Sequence, residues 1–287
     1  MVNSKSKVLI LGSTGLLGKR LSIKLKNLGY VVFEPSREIF KSDNLSNNIL
    51  KLIVNEKIKT VINLVANTNV DYCEQYPHEA YESNVKTLEK FIDIFHKTKV
   101  HLIHISSDQV YFGEGPHSEE NPNPCNVYGI TKYLSELIAL KTKATILRTN
   151  FTGKSFLNSR YSFSDWIINS ITNQKKINLF SDIHFSPLSI EKLCYYIHMV
   201  IKSDIRGVYN LGSRDSISKS DFGCQLIDYL GLDMNLVTIT KSVNFERRAK
   251  RPMDMSLNVN KFENDFNLVL PTIYETNNSI FEEYLIT

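Results

Sequence analysis

An apolar run ending in three spaced glycines constrains this chain most: Lys7–Gly18 reads KVLILGSTGLLG, and an amphipathic segment from Leu16 to Leu28 follows it. Strand, glycine turn and helix in that order hold a dinucleotide pyrophosphate on a helix N-terminus. Gly12 permits the tight turn, Gly15 lets the backbone approach the phosphates, and Gly18 lets the helix pack closely on the strand. Thr14, Leu16 and Leu17 share this loop and join the candidate cofactor-binding residues. The spacing is G-x-x-G-x-x-G, so an ordinary glycine-rich turn is the competing reading, and the chemistry has to be sought further along.

The first half alternates β-branched apolar runs with helical patterns. Strands are predicted at Val8–Leu11, Val31–Phe33, Thr60–Leu64, His101–Ile105 and Ala144–Leu147, with helices near Leu16–Leu28, Leu45–Val54, Tyr81–Phe95 and Tyr128–Leu140. Such alternation builds right-handed βαβ units on a parallel sheet, whose ligands bind at the carboxyl ends of the strands. The fold class is therefore α/β, a Rossmann-type doubly wound parallel sheet over residues 1–150 that binds the dinucleotide. Residues 151–287 form a smaller α/β substrate-binding region partly interleaved with the sheet. There, helices are predicted at Phe163–Thr172, Ile190–Ile201 and Lys219–Leu230, and short strands at Ile177–Phe180 and Val208–Leu211, before a polar, aromatic C-terminus.

Composition narrows the setting. The formal charge is +4 and the lysines are scattered, which argues against nucleic acid or a membrane surface as partner. No apolar run approaches the ~20 residues of a membrane span. The four cysteines lie far apart without a C-x-x-C, so neither a zinc site nor a disulfide framework is expected, and no metal ligands are assigned. A cytoplasmic protein with reduced thiols is the expectation.

Tyr128-Gly-Ile-Thr-Lys132 opens a predicted helix after the loop Asn121–Asn126. A spacing of four stacks both side chains on one face. An ammonium near a phenol favours the phenolate and lowers its pKa, so Tyr128 is suited to give a proton to a carbonyl oxygen. Although the chain has 14 tyrosines, this is its one Tyr-x-x-x-Lys. The third member is Ser107 in HISSDQVYFG, whose hydroxyl can stabilise developing oxyanion charge. Ser106 reads instead as a cap of the strand-to-loop turn.

With Gly12, Gly15, Gly18, Ser107, Tyr128 and Lys132 in order, the chain resembles the extended short-chain dehydrogenase/reductases. More closely, it is similar to the dTDP-4-dehydrorhamnose reductase family. The stretches that carry the likeness are VINLVANTNVDYCE (Val61–Glu74) and the Asn84 after it, HISSDQVYFG (His104–Gly113), NPCNVYGITK (Asn123–Lys132), LRTNF (Leu147–Phe151) and RPMDMSL (Arg251–Leu257). The resemblance implies reduction of a 4-keto group on a nucleotide-linked deoxysugar with a nicotinamide cofactor, for surface polysaccharide. It implies Tyr128 as acid, Lys132 on the cofactor ribose and tuning Tyr128, and Ser107 polarising the keto oxygen. Asn63, Ala66 and Thr68 are implied to line the cofactor, with Asn84 supporting the site and Val70 facing the substrate.

Departures from the pattern bear on the sugar. Gln109 stands where, by resemblance, sugar 4,6-dehydratases carry Glu, fucose-type epimerase-reductases Cys and rhamnose reductases Tyr. A glutamine amide neither gains nor loses a proton near neutral pH, which leaves simple keto reduction in a differently shaped pocket. Phe151 stands where the rhamnose enzymes have Trp, and core packing is its other reading. Arg251 is expected on the substrate diphosphate, unless it is one more surface charge of the basic run Arg247–Arg251. His184 reads as polar surface. For the cofactor, Glu34 would mark NADH and Ser36 with Arg37 a 2′-phosphate; NADPH is favoured over NADH. The implied partners are a nucleotide-sugar substrate and, as an alternative to a monomer, a second copy of the chain in a homodimer. Two other functions stay open: a nucleotide-sugar epimerase with tightly held NAD, and a catalytically silent NADP-binding regulatory subunit.

Overall fold

In the computed structural model, which describes residues 6–36, 44–157, 160–244 and 249–285, the N-terminal half runs β1 (Lys7–Leu11), α1 (Leu16–Asn27), β2 (Val31–Phe33), α2 (Leu45–Glu56), β3 (Thr60–Asn63), α3 (Val70–Gln75), α4 (Pro77–Tyr81), α5 (Thr87–Thr98), β4 (His101–Ser107), α6 (Val127–Ala139) and β5 (Thr145–Thr149). Then come β6 (Phe151–Thr152), α7 (Phe163–Thr172), β7 (Ile177–Phe180), β8 (His184–Phe185), β9 (Leu188–Ser189), α8 (Ile190–Lys202), β10 (Gly207–Leu211), β11 (Ile217–Ser218) and α9 (Lys219–Tyr229). The chain closes with β12 (Val237–Thr240), β13 (Asp254–Met255), α10 (Asn260–Phe266) and α11 (Ile273–Glu282).

Six strands form one parallel, Rossmann-like sheet in the order β10-β5-β4-β3-β1-β2. In register, β1 pairs with β2 and β3, and β3 with β4. All seven residues of β4 are buried, as expected of a strand covered by helices on both faces, so its sequence shows no in–out alternation. Leu9, Leu11, Ile49, Ile53, Val61, Phe91, Phe95 and Leu102 make the core of this region. The chain divides into two compact units, each discontinuous in sequence: Met1–Ser107, Asn126–Leu147 and Cys194–Val208 form the first, and Asp108–Cys125, Arg148–Leu193 and Tyr209–Thr287 the second. The second packs its own core around Ile167, Leu179, Phe185, Phe222, Leu226 and Phe281.

Three expectations need correction. The single helix predicted over Tyr81–Phe95 is instead the end of α4, a π-helical turn at Glu82–Lys86, and α5. The widened turn is visible where Thr87 Oγ1 donates to Glu82 O at 3.1 Å, and apolar periodicity does not register the one extra residue. The loop after β3, which the sequence places at Ala66–Asp71, ends earlier, because Asn69 caps α3 by accepting from Tyr72 N. The C-terminus carries α10 and α11, the latter started by a capping box between Thr272 and Glu275. Among the described residues no helix is long and apolar enough to cross a membrane, and none of the four cysteines is in a disulfide.

The turn between β1 and α1 depends on two glycines. Gly12 has φ +88°, where a side chain would be strained, and Gly15 N donates to its carbonyl at 3.1 Å. A Cβ on Gly18 would lie 2.3 Å from Gly12 O and 2.7 Å from Ser13 Cα, both backbone atoms. Gly18→Ala is therefore expected to cost about 1–3 kcal/mol, a fall in Tm of roughly 2–4 °C per kcal/mol; an unchanged melting temperature would show that the turn yields freely.

Candidate active site

The carboxyl ends of β2, β1, β3 and β4, neighbours in that order, carry Ser36, the glycine turn, Asn63 and Ser107 respectively. Gly15, with an extended backbone, is the N-cap of α1; no side chain caps the helix and its first turn holds no acidic residue. Its leading N–H groups thus have no side-chain acceptor in the described structure, the condition in which a helix N-terminus attracts an anion. Thr14 is exposed, and Gly15 and Leu16 are half-buried. Leu17 belongs to the buried core, so its side chain is committed to packing. Past β2, Ser36 is exposed, while Arg37 lies outside the described residues. Glu34 pairs with Lys26. Burial works against that charge, but the Lys26 ammonium and Ser22 hydroxyl hold the Glu34 carboxyl below its usual range.

After β3, Asn63 is buried; its Nδ2 lies 3.1 Å from His104 Nδ1 and its Oδ1 accepts from Val65 N. Ala66 is half-buried, Thr68 exposed and Val70 buried. The π-turn brings Asn84 inside, 1% exposed. Its Oδ1 accepts from Asn67 N at 2.6 Å, and its Nδ2 donates to Asn67 O and Thr131 Oγ1. Asn84 thereby fixes the loop after β3 against α6, a structural duty that the spacing of the sequence did not disclose.

Helix α6 starts where it does because Asn126 caps it, accepting from Gly129 N at 2.8 Å; Glu74 of α3 accepts from Val127 N. That start sets Tyr128 in the first turn and Lys132 one turn on, both buried. Lys132 Nζ donates to Ile105 O at 2.7 Å. Burial pulls its pKa down to about 8, while the Glu136 carboxylate opposes the fall. Glu136, a further turn along, is buried and accepts from Ser106 Oγ. Ser135 Oγ sits 2.9 Å from His104 Nε2. Burial, with Lys132 beside it, keeps the His104 imidazole neutral. Tyr128, Lys132 and Glu136 therefore form a row on one face of α6 that is fastened to Ile105 and Ser106 of β4, next to Ser107. Sequence reading missed Glu136 and His104; the i, i+4, i+8 spacing from Tyr128 was the available signal for Glu136.

Gln109, Phe151 and Arg251 belong to the second unit. Gln109 Nε2 donates to Met255 Sδ, inside the RPMDMSL stretch. In that stretch Asp254 accepts from Gly115 N, Ser256 N and Ser256 Oγ. Although burial works the other way, these bonds hold the Asp254 carboxyl below its usual range. Phe151 and Arg251 are half-buried, and His184 is exposed in β8. Two cations were not foreseen. Arg148 is buried, donating to Tyr111 Oη and Glu119 O. Lys219 Nζ lies 3.2 Å from the centroid of the Phe185 ring and 4.3 Å from that of Phe163. Burial lowers its pKa to about 7, with Asp108 opposing.

The six-stranded parallel sheet with a glycine turn after β1 defines the Rossmann-like class. Within it, the chain belongs to the RmlD substrate binding domain family, which matches residues 6–286. It is similar to a dTDP-4-dehydrorhamnose reductase of Escherichia coli, 24% identical over 283 residues, covering 92% of this chain and 93% of the relative. A probable low-salt glycan biosynthesis reductase of Haloferax volcanii is likewise 24% identical, over 282 residues, with coverage of 92% and 93%. A spore coat polysaccharide biosynthesis protein of Bacillus subtilis is 27% identical over 256 residues, covering 86% and 87%. Among solved structures, dTDP-4-dehydrorhamnose reductase of Bacillus anthracis in complex with NADP superposes with a TM-score of 0.88 at 24% identity, over 97% of this chain and 99% of that one. The Yersinia enterocolitica enzyme gives 0.83 at 25% identity, over 98% and 100%.

Proposed function

We propose that this protein is an NADPH-dependent reductase of the 4-keto group of a nucleotide-linked 4-dehydro-6-deoxyhexose, acting in the cytoplasm to supply a sugar for surface polysaccharide. The observation that carries the reading is the row of Tyr128 and buried Lys132 on α6, clamped to the strand that ends at Ser107. The glycine turn with its uncapped helix fits a pyrophosphate, and the commitment of Glu34 to Lys26 favours a 2′-phosphate reader at Ser36 and Arg37 over a ribose-binding carboxylate. The reductases named above lend the substrate class, and they do not favour the epimerase or silent-subunit readings.

When bound, NADPH supplies the hydride that reaches the keto carbon. Tyr128 gives its phenolic proton to the keto oxygen, and Ser107 donates a hydrogen bond to the same oxygen as negative charge gathers there. The Lys132 ammonium favours the phenolate that Tyr128 leaves behind and holds the cofactor ribose. The backbone from Gly12 through Thr14, Gly15, Leu16 and Leu17 to Gly18 cradles the pyrophosphate, while Asn63, Ala66, Thr68 and Asn84 wall the cofactor. Val70, Gln109 and Phe151 are assigned to the sugar and Arg251 to neutralising the diphosphate. Because the Gln109 amide carries no exchangeable charge, proton transfer rests with Tyr128. On this reading residues 1–150 take the cofactor and 151–287 the sugar nucleotide. We also place a second copy of the chain against α6, where Ile130, Leu134 and Leu137 form a stripe 43%, 38% and 45% exposed, an apolar surface suited to a symmetric partner.

Pure protein is expected to oxidise NADPH when given enzymatically prepared dTDP-4-dehydro-6-deoxyhexoses, and Tyr128→Phe to lose about 10²–10⁴-fold in kcat while still binding NADPH. Tight NADPH binding with no turnover of any such sugar would overturn the substrate class. Reduction is expected to decline as pH rises past about 8, where Lys132 loses its proton. Glu136→Gln removes the carboxylate that raises that pKa, so the decline should begin at lower pH; a limb that stays put would separate Glu136 from the Lys132 charge. Sedimentation at micromolar concentration should give a dimer that Leu134→Glu dissociates, and a wild-type monomer would discard the self-pairing.

A further inference from the structure

A cavity of about 570 Å³ opens in the first unit at the end of the sheet opposite the glycine turn. Strands β3 and β4 begin there at Thr60 and His101, and α5, α6 and α8 bring their C-terminal ends to it. At about 3.3 Å per residue, β4 alone separates this cavity from Ser107 by roughly 20 Å. Five cations line it, Lys59, Lys99, Lys143, Lys202 and Arg206, against one carboxylate, Asp204. Five less one is four, so this single cavity holds as much net positive charge as the whole chain, formally +4.

The ordinary explanation is that cations gather where helices end. Each helix C-terminus is equivalent to about half a negative charge, so three account for about 1.5 of the four. An excess of more than two positive charges is left, comparable to the charge of one diphosphate. Arg206 spends part of its donor capacity on Ser203 O and Ile205 O. The four lysines line the wall and are exposed. Ile201, half-buried, supplies the accessible apolar contact of the same cavity, behind which Phe95 and Val100 belong to the core. The volume lies in the range of small-molecule sites, about 300–1,000 Å³, and exceeds what a lone phosphate fills.

We propose that this cavity is a second, non-catalytic site that binds a nucleoside diphosphate through its polyphosphate group. The proposal stands whether or not the reductase reading holds, because none of its residues serves that chemistry. His101 is a built-in reporter: its Nε2 lies 2.8 Å from Thr145 Oγ1, and burial, with Arg206 near, takes its pKa down to about 4. A polyphosphate in the cavity raises that value by adding opposite charge.

The test is calorimetric titration of the NADPH-saturated full chain with inorganic tripolyphosphate, followed by displacement with thymidine diphosphate. Binding is expected to weaken at least tenfold in Lys59→Glu/Lys143→Glu/Lys202→Glu and to persist in Arg251→Ala. NADPH affinity should be unaltered in the triple variant, which also reports that it folds. Should it not fold, the imidazole resonance of His101 in the wild-type protein is read instead, and tripolyphosphate should move its titration to higher pH. Binding that survives the triple charge reversal, a His101 titration that does not move, or tripolyphosphate that thymidine diphosphate fails to displace would each overturn the proposal.

Discussion

A buried ammonium is the constraint around which the first unit is arranged. Lys132 is 2% exposed, and an isolated cation in such a place is costly unless acceptors meet it. The Ile105 carbonyl and the Glu136 carboxylate answer that demand from two elements. Meeting it forces the C-terminal half of β4 and one face of α6 into a fixed register. Ser106 on Glu136 and His104 on Ser135 and Asn63 extend the same lock from α6 through β4 to β3. The residues assigned to chemistry thus inherit their positions from groups whose only task is to make one buried charge tolerable. A lysine at about 8 remains cationic at neutral pH yet close enough to its pKa to respond to a neighbouring phenol.

Much of this was legible in the sequence, for identifiable reasons. The strands β1 to β5 are short apolar runs flanked by breakers, and a strand buried on both faces announces itself without any alternation. The glycine turn could be read because backbone sterics leave few residues able to occupy it, and Tyr128 with Lys132 because a spacing of four is a geometric statement about a helix. What escaped was set by tertiary contact. The π-turn at Glu82–Lys86 is decided by where Asn84 finds partners 17 and 47 residues away, a matter on which local periodicity is silent. The role of Asp254 in holding Gly115 links positions far apart, and α10 and α11 have too little apolar contrast to stand out. Arg37, the residue chosen for the cofactor 2′-phosphate, lies outside the described residues.

The second unit organises its polar interior by a comparable rule. Arg148 stands over the Tyr111 ring, 5.1 Å from its centroid, and shares the Tyr111 hydroxyl with Asn210. Glu119 then accepts from Asn210 N. Burial raises the Tyr111 pKa to about 12, so the phenol stays a neutral donor within a network whose members satisfy one another. Networks of this kind specify one arrangement more sharply than apolar packing does. Here the arrangement includes the segment just after Ser107, where Gln109 Nε2 donates to Met255 Sδ.

The division of each unit among separated stretches of chain has a consequence during synthesis. The first unit lacks Cys194–Val208 until well over half of the polypeptide has been made, and the second lacks everything from Tyr209 onward for longer still. A growing chain of this kind cannot finish its N-terminal body and then proceed, as domains that are contiguous in sequence do. Its sheet must wait for the edge strand β10. A ribosome that stalled before residue 194 would release two unfinished bodies and no finished one.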